Sequence, residues 1–335
     1  MNIIIPMAGR GTRLRPHTLT IPKPLIPIAG KPIVQRLVED IVEMCGQAVQ
    51  NIGFIVGDFG KDVENSLLDI ADRAGAKGHI FYQDQPLGTA HAILCAHSIM
   101  SGNIIVAFAD TLFRAQIKID PAADGIIWTH RVDDPSKFGV VKMNTHNVIT
   151  EFVEKPTTFV SDMAIIGIYY FKDGHYLRNE LQYIIDNDIK DKGEYQLTSA
   201  LENMKQKGTQ FGIASVEEWL DCGNKTATVH TNQRFLEFVQ QRGESLTAST
   251  AHLHNATIIE PCFIGNNVVI KNAVVGPHVS VGEGTKIEHS VIKNSIIQNH
   301  TTIKNKVIAN SMIGNHVHIT GHAEDMSMGD YSVAD

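Results

Sequence analysis

Long apolar runs are missing from this 335-residue sequence. No stretch of roughly 18 consecutive apolar residues occurs, so no segment has the length of a membrane-spanning helix, and no membrane partner is expected. Cysteine is scarce. Cys45, Cys95, Cys222 and Cys262 are widely scattered and match no paired metal-ligand spacing. That excludes a disulfide framework and a zinc ribbon, and it points to reduced thiols in an intracellular, cytoplasmic protein. The 16 histidines include no HExxH pair. An excess of positive charge is absent as well: 29 Lys and Arg face 36 Asp and Glu, for a net charge of -7. A nucleic-acid binder draws its affinity from Lys and Arg on phosphates, so this balance excludes that class and requires any phosphate ligand to be held by a local site. The opening Met1-Asn2-Ile3-Ile4-Ile5-Pro6 lacks a basic region, and Gly9, Arg10 and Arg13 follow too soon for the apolar core of a signal peptide.

What is present is globular composition, 43% hydrophobic and 19% charged, in a chain long enough for two domains. Through about residue 110, short apolar runs at 2–7, 52–56, 79–83 and 104–109 alternate with amphipathic stretches at 32–44, 61–74 and 89–100. This is the pattern of βα units in a doubly wound, Rossmann-like α/β core with a mostly parallel sheet. Strand patterns then dominate at 126–130, 140–143, 148–153 and 165–171, before helical patterns return at 176–186, 195–207 and 225–241. Beyond about residue 251 aliphatic residues recur five or six apart, from Ile258, Ile264 and Ile270 to Ile313 and Ile319, punctuated by Gly and Asn. A unit this small buries its face only by stacking on its neighbours, and the period predicts a β-helix resembling the left-handed hexapeptide type. The expected organisation is a catalytic domain over 1–245, a β-helix over 250–322 and an acidic cap or tail over 323–335.

The richest segment runs Gly9-Arg10-Gly11-Thr12-Arg13-Leu14-Arg15-Pro16, continues through Pro22-Lys23-Pro24-Leu25 and closes with Gly30-Lys31-Pro32. Glycines directly after a first strand let successive backbone N–H groups converge on an anion. Arg13 and Lys23 supply cations for its β- and γ-phosphates. The string is not a P-loop, which needs GxxxxGK[ST], and Leu14 stands where a dinucleotide fingerprint needs its third glycine. Phe108-Ala109-Asp110-Thr111 sets a carboxylate at the end of an apolar strand, facing the ligand crevice of such sheets. Trp219-Leu220-Asp221-Cys222-Gly223 supplies another, although an Asp there also reads as a turn or helix-cap residue. Gln83-Asp84-Gln85-Pro86-Leu87-Gly88-Thr89-Ala90 offers an amide able to pair with the imide edge of uracil or thymine, or simply a polar loop opening a helix near Thr89.

The extended string closely resembles the GxGTRLxPxTxxxPKPLxPxxGKP signature of the sugar nucleotidyltransferases, whose motifs follow in order over the first ~240 residues. The resemblance implies the GT-A-like form of the doubly wound fold, often with a C-terminal left-handed β-helix. It implies transfer from a pyrimidine nucleoside triphosphate, dTTP or UTP, to a sugar 1-phosphate, with pyrophosphate released. In that scheme Ala8, Gly9, Gly11, Thr12, Arg13, Gln83, Gly88 and Thr89 bind the nucleotide; Ala8 stands where many members carry another glycine. Asp110 and Asp221 hold Mg²⁺, and Lys23 joins Arg13 in the catalytic set. Gly139, Glu154, Lys155 and Gly167 bind the sugar phosphate, Lys155 orienting the nucleophile. Adjacent Glu154 and Lys155 on a strand point to opposite faces, so a bend before Pro156 is required to bring both to one site. Ile165, where the N-acetylglucosamine branch tends to carry Asn, favours a plain hexose such as glucose 1-phosphate over N-acetylglucosamine 1-phosphate.

Two rival readings come from other classes. The β-helix, with His278, His289, His300, His316 and His318, would transfer acyl groups from coenzyme A in a bifunctional enzyme, which an acyl-CoA turnover assay separates. A non-catalytic regulatory paralogue would lose a cation or a metal carboxylate, whereas Arg13, Lys23, Asp110 and Asp221 are all present. In the enzyme reading the β-helix serves homo-oligomerisation.

Overall fold

The computed structural model describes residues 1–9, 11–115, 119–322 and 326–333. They group into two compact units, Met1–Ile26 with Pro32–Gly223, and Pro27–Lys31 with Asn224–Asp335. In the first unit four parallel strands run in the order Ile104–Ala107, Asn2–Pro6, Asn51–Val56 and Lys77–Tyr82. Their apolar residues are continuous rather than alternating because both faces are covered: Ile3, Ile4, Ile5, Phe54, Ile55, Ile104, Ile105 and Val106 are all fully buried. Each such side chain contributes about 1.5–3 kcal/mol relative to exposure. Met163–Phe171 extends the sheet antiparallel to Ile104–Ala107 and also pairs with Gly125–Arg131 and Gly139–Met143; Ile149–Glu154 and Phe211–Ser215 complete nine strands.

The helices follow the 3.6-residue pattern. Ile33–Cys45 buries Val34, Leu37, Val38 and Ile41 and ends on Gly46 at φ 60°, where a side chain would be strained. Three elements differ from the sequence pattern. The helix expected over 89–100 covers Thr89–Leu94 and gives way at Ala96 (φ -89°, ψ 21°) to a 3-10 turn, His97–Ile99. The helix expected from 195 begins at Leu197, because the Tyr195 backbone donates to Leu87 C=O and accepts from Ala90 N–H. The strand expected over 104–109 ends at Ala107, since Phe108 N–H turns to Gly167 C=O at 3.0 Å.

The second unit holds helix Lys225–Gln241 and parallel coils stacked in register. Val269 pairs with Lys286, Lys286 with Thr302 and Thr302 with His318, one coil per 16 or 17 residues. Ile270, Ile287 and Ile303 stack inside, as do Val275 and Ile292, so each coil buries its aliphatic face only against the next. Corners fall on Asn and His at positive φ, including Asn255 (47°), Asn272 (49°), His289 (48°) and Asn305 (52°). Their side chains bond along the column, Asn255 Nδ2 to Asn272 Oδ1 at 2.8 Å and Asn272 Nδ2 with His289 Nε2 at 3.1 Å. The tail expectation for 323–335 lies partly outside the described residues; residues 326–333 are exposed. Among the described residues no helix is long and apolar enough to cross a membrane.

Candidate active site

A cavity of about 430 Å³ lies at the carboxyl ends of Asn2–Pro6 and Ile104–Ala107, within the first unit. The loop leaving the first strand forms one wall, with Ala8, Gly9, Gly11, Thr12 and Arg13 all lining the space. The N–H groups of Ala8, Gly9 and Gly11 bond to no described residue, so they form an unfilled set of donors for an anion. A Cβ at Gly9 would meet nothing within 4 Å; this glycine keeps the wall low rather than serving packing. Gly11 has two other reasons to be glycine: φ is +57°, and a Cβ would lie 2.9 Å from Lys23 Cβ. Ala8 has no positive φ, so alanine fits where other family patterns carry glycine. Arg13 is exposed on the 3-10 turn Thr12–Leu14, which is anchored by buried Leu14.

Lys23 and the two carboxylates converge. Lys23, with only 8% of its side chain exposed, places Nζ 3.1 Å from Asp110 Oδ2. Asp221 arrives from far along the chain because Glu218–Asp221 pairs antiparallel with Thr111–Arg114, Asp221 opposite Thr111, and Cys222 N–H donates to Asp110 C=O at 3.2 Å. Burial raises the Asp221 carboxyl above its usual range, the Lys23 charge opposes this, the Asp110 charge adds to it, and the Gly223 N–H and Arg13 oppose it. Four groups therefore share one electrostatic site. Asp221 is not the cap of the following helix: Asn224 is, its side chain accepting from Ala227 N–H at 3.0 Å.

The loop after Lys77–Tyr82 forms the opposite wall through Gln83, Pro86, Gly88 and Thr89. Gln83 Nε2 donates to Gly88 C=O at 3.1 Å and lies 3.1 Å from His91 Nδ1. Burial lowers the His91 imidazole below its usual range, which favours the neutral ring, and the Gln83 amide NH2 facing Nδ1 matches the tautomer in which Nδ1 accepts. Both amide protons are thus engaged, and Oε1 is the part of Gln83 left to meet a ligand. Gly88 (φ +119°) is required by packing, because a Cβ would run into the Tyr195 backbone. The Thr89 hydroxyl accepts from Leu197 N–H at 2.9 Å and donates to Gln196 Oε1 at 3.1 Å, capping the first turn of helix Leu197–Gln206.

Gly139, Glu154 and Lys155 do not line this cavity but form a cluster of their own. Lys155 has φ 43°, which breaks the strand's alternation, and its Nζ lies 3.6 Å from Glu154 Oε1 on the same side. The required bend is therefore present, and Lys192 Nζ supports it by donating to Glu154 C=O at 3.0 Å and Lys155 C=O at 2.6 Å. Gly139 faces Glu154 across the ladder; a Cβ there would lie 3.1 Å from Glu154 Oε2. Gly167 (φ +87°) sits in the register shift of Met163–Phe171 and joins the cavity through its bond to Phe108, a lining residue.

Sequence reasoning passed over Glu194, which lines the cavity, Thr198, whose hydroxyl donates to Glu154 Oε2 at 3.3 Å, and Gly223. The phrase Gly193-Glu194-Tyr195-Gln196-Leu197-Thr198 reads locally as a loop opening the helical pattern of 195–207, and only the fold brings Glu194 to the cavity and Thr198 to Glu154. Gly223 lines the cavity, and a Cβ there would lie 2.8 and 2.9 Å from the two Asp221 carboxylate oxygens.

An α/β sheet with donors and cations at one strand-end cavity defines the class, a nucleotide-handling enzyme domain. The chain belongs to the nucleotidyl transferase family, whose model it matches over residues 2–237. It is 29% identical to a glucose-1-phosphate thymidylyltransferase of Streptomyces antibioticus over 99% of this chain and 98% of the relative. Similarity to the bifunctional protein GlmU of Methanococcus maripaludis is 29% over 89% of this chain and 77% of that protein. A solved UDP-glucose pyrophosphorylase complexed with UDP-glucose shares the fold at TM-score 0.58 and 23% identity, over 71% of this chain and 98% of that one.

Proposed function

We propose that this nucleotidyltransferase joins dTTP or UTP to a sugar 1-phosphate, with glucose 1-phosphate first among the sugars, giving a nucleoside diphosphate sugar and pyrophosphate. The observation that carries the reading is the meeting of unfilled backbone donors, Arg13, Lys23 and Asp110 around one cavity, with Asp221 coupled electrostatically to all three side chains. Similarity along the whole chain to a glucose-1-phosphate thymidylyltransferase supports the substrates.

The triphosphate lies against the N–H groups of Ala8, Gly9 and Gly11, with Arg13 neutralising the β- and γ-phosphates that leave as pyrophosphate. Gln83 Oε1 accepts from the imide N3–H of thymine or uracil. Cytosine carries a lone pair at that position and is repelled. Lys155, held beside Glu154, orients the phosphate of the sugar for in-line attack on the α-phosphorus. The attacking oxygen is already ionised, so no side chain needs to remove a proton, and alignment with charge neutralisation suffices.

The donor set suits Mg²⁺: two carboxylates, oxygen only, at a point where burial first and the Asp110 charge after it disfavour the ionised form of Asp221. Asp110 and Asp221 would hold the ion, which when bound supplies positive charge to the phosphate oxygens. The β-helix serves self-association, supported by the outward valines Val291 and Val307, 43% and 83% exposed, and the protein works in the cytoplasm.

A pyrophosphate-release screen of dTTP, UTP, CTP, ATP and GTP against a panel of sugar 1-phosphates tests the reading. Turnover of dTTP or UTP with glucose 1-phosphate is expected, with CTP about tenfold or more slower. Equal use of CTP would remove the role of Gln83; no pyrophosphate from any pair would remove the proposal.

A further inference from the structure

Among the side chains on the cavity wall, Gln83 is the one whose orientation decides what it recognises. An amide presents a donor at one end and an acceptor at the other, so a base meets whichever end is turned toward it. The Gln83 backbone is fixed, its N–H donating to Val56 C=O at 2.9 Å at the end of strand Asn51–Val56. The terminal side-chain torsion is a broad two-fold rotor, and its setting depends on what the amide touches.

Two acceptors reach that amide, and both reach the same nitrogen. Gly88 C=O lies 3.1 Å from Nε2 and also accepts from Ala92 N–H at 3.1 Å, the bond that opens helix Thr89–Leu94. A carbonyl can only accept, so the atom facing it is the NH2 and not Oε1. His91 Nδ1, on the same helix, lies 3.1 Å from that nitrogen and takes the second amide proton. Partial burial of the ring favours the neutral form, which has one nitrogen free to accept. Without Nδ1, one amide proton would be idle, and the amide could rotate to offer it to a ligand.

We infer that His91 is a positioning residue for base choice: by holding the second amide proton of Gln83, it keeps Oε1 turned to the base. That arrangement admits uracil or thymine, whose N3 carries a proton, over cytosine, whose N3 carries a lone pair. The inference rests on Gln83 reading the base in the proposed reaction.

Variants of the whole chain test it, through the ratio of kcat/KM for UTP to that for CTP, a pair that differs only at the N3–C4 edge of the base. His91→Phe keeps a ring and loses the acceptor. His91→Asn loses the ring but sets Oδ1 where Nδ1 stood. The ratio falls about fivefold or more in His91→Phe and stays within about twofold of the parent in His91→Asn. A packing role for the ring predicts the reverse order. In a Gln83→Leu background His91→Phe changes the ratio by less than about twofold, because the amide it positions is gone. A folded His91→Phe protein with the parental ratio, or His91→Asn falling as far as His91→Phe, overturns the inference. Gln83→Leu with the parental ratio removes the reading of Gln83 itself, and the inference falls with it. Should His91→Phe not fold, His91→Leu takes its place and is read by the same criteria.

Discussion

Individual residues here are shaped by burial as much as by chemistry. His17, His79 and His91 are all held below the usual imidazole range, by desolvation first, with the Lys77 charge adding to it at His79. His79 belongs to a polar chain in which its Nε2 meets Asn51 Oδ1 at 2.8 Å, Asn51 Nδ2 donates to Asn2 Oδ1 at 2.9 Å, and Asn2 Nδ2 donates to Ile99 C=O at 2.8 Å. A folded-state pKa below the unfolded one means that the unfolded chain takes up protons first as pH falls. Stability is therefore full above about pH 6.5 and is lost on acidification below it. The urea midpoint is expected to drop between pH 7.5 and 5.5, and His79→Gln, which keeps a donor for Asn51, to lessen the drop. A midpoint that is flat or rises toward pH 5.5 contradicts this assignment.

Elements bring the site together, and their pairing was the part least legible in the sequence. The glycine string and Asp110 could be read directly, because a strand end followed by small residues has a local signature. Asp221 could not be placed from its neighbours, which equally suit a helix cap; only the antiparallel pairing with Thr111–Arg114 sets it beside Asp110. The bend at Lys155 was anticipated from strand alternation, whereas its support by Lys192 and the capping of Leu197 by Thr89 depend on contacts spanning 37 and 108 residues. The coils were visible for the opposite reason, since their period repeats within a few residues. The same ladder gives an element-scale prediction. Gly223→Ala puts a methyl group where the Asp221 carboxylate stands, and the shift of that group should lower turnover about 100-fold with little loss of Tm. Turnover within twofold of the parent would show that the carboxylate position is not critical.

At the scale of the whole molecule, the chain forms two units, one holding the cavity and the other the stacked coils. Their outward valines predict association. Light scattering should give a mass at least twice the 36.8 kDa of one chain at micromolar concentration, and Val307→Lys should reduce it. A single-chain mass for the parent protein would rule out that role for the coils. The account as a whole depends on Asp110 and Asp221 acting together on one Mg²⁺-bound triphosphate. Pyrophosphate release by Asp110→Asn and Asp221→Asn, isosteric changes that remove charge alone, tests this most directly. Each should fall by about 100-fold or more at saturating Mg²⁺ with the fold intact. Near-parental turnover in either variant would contradict it.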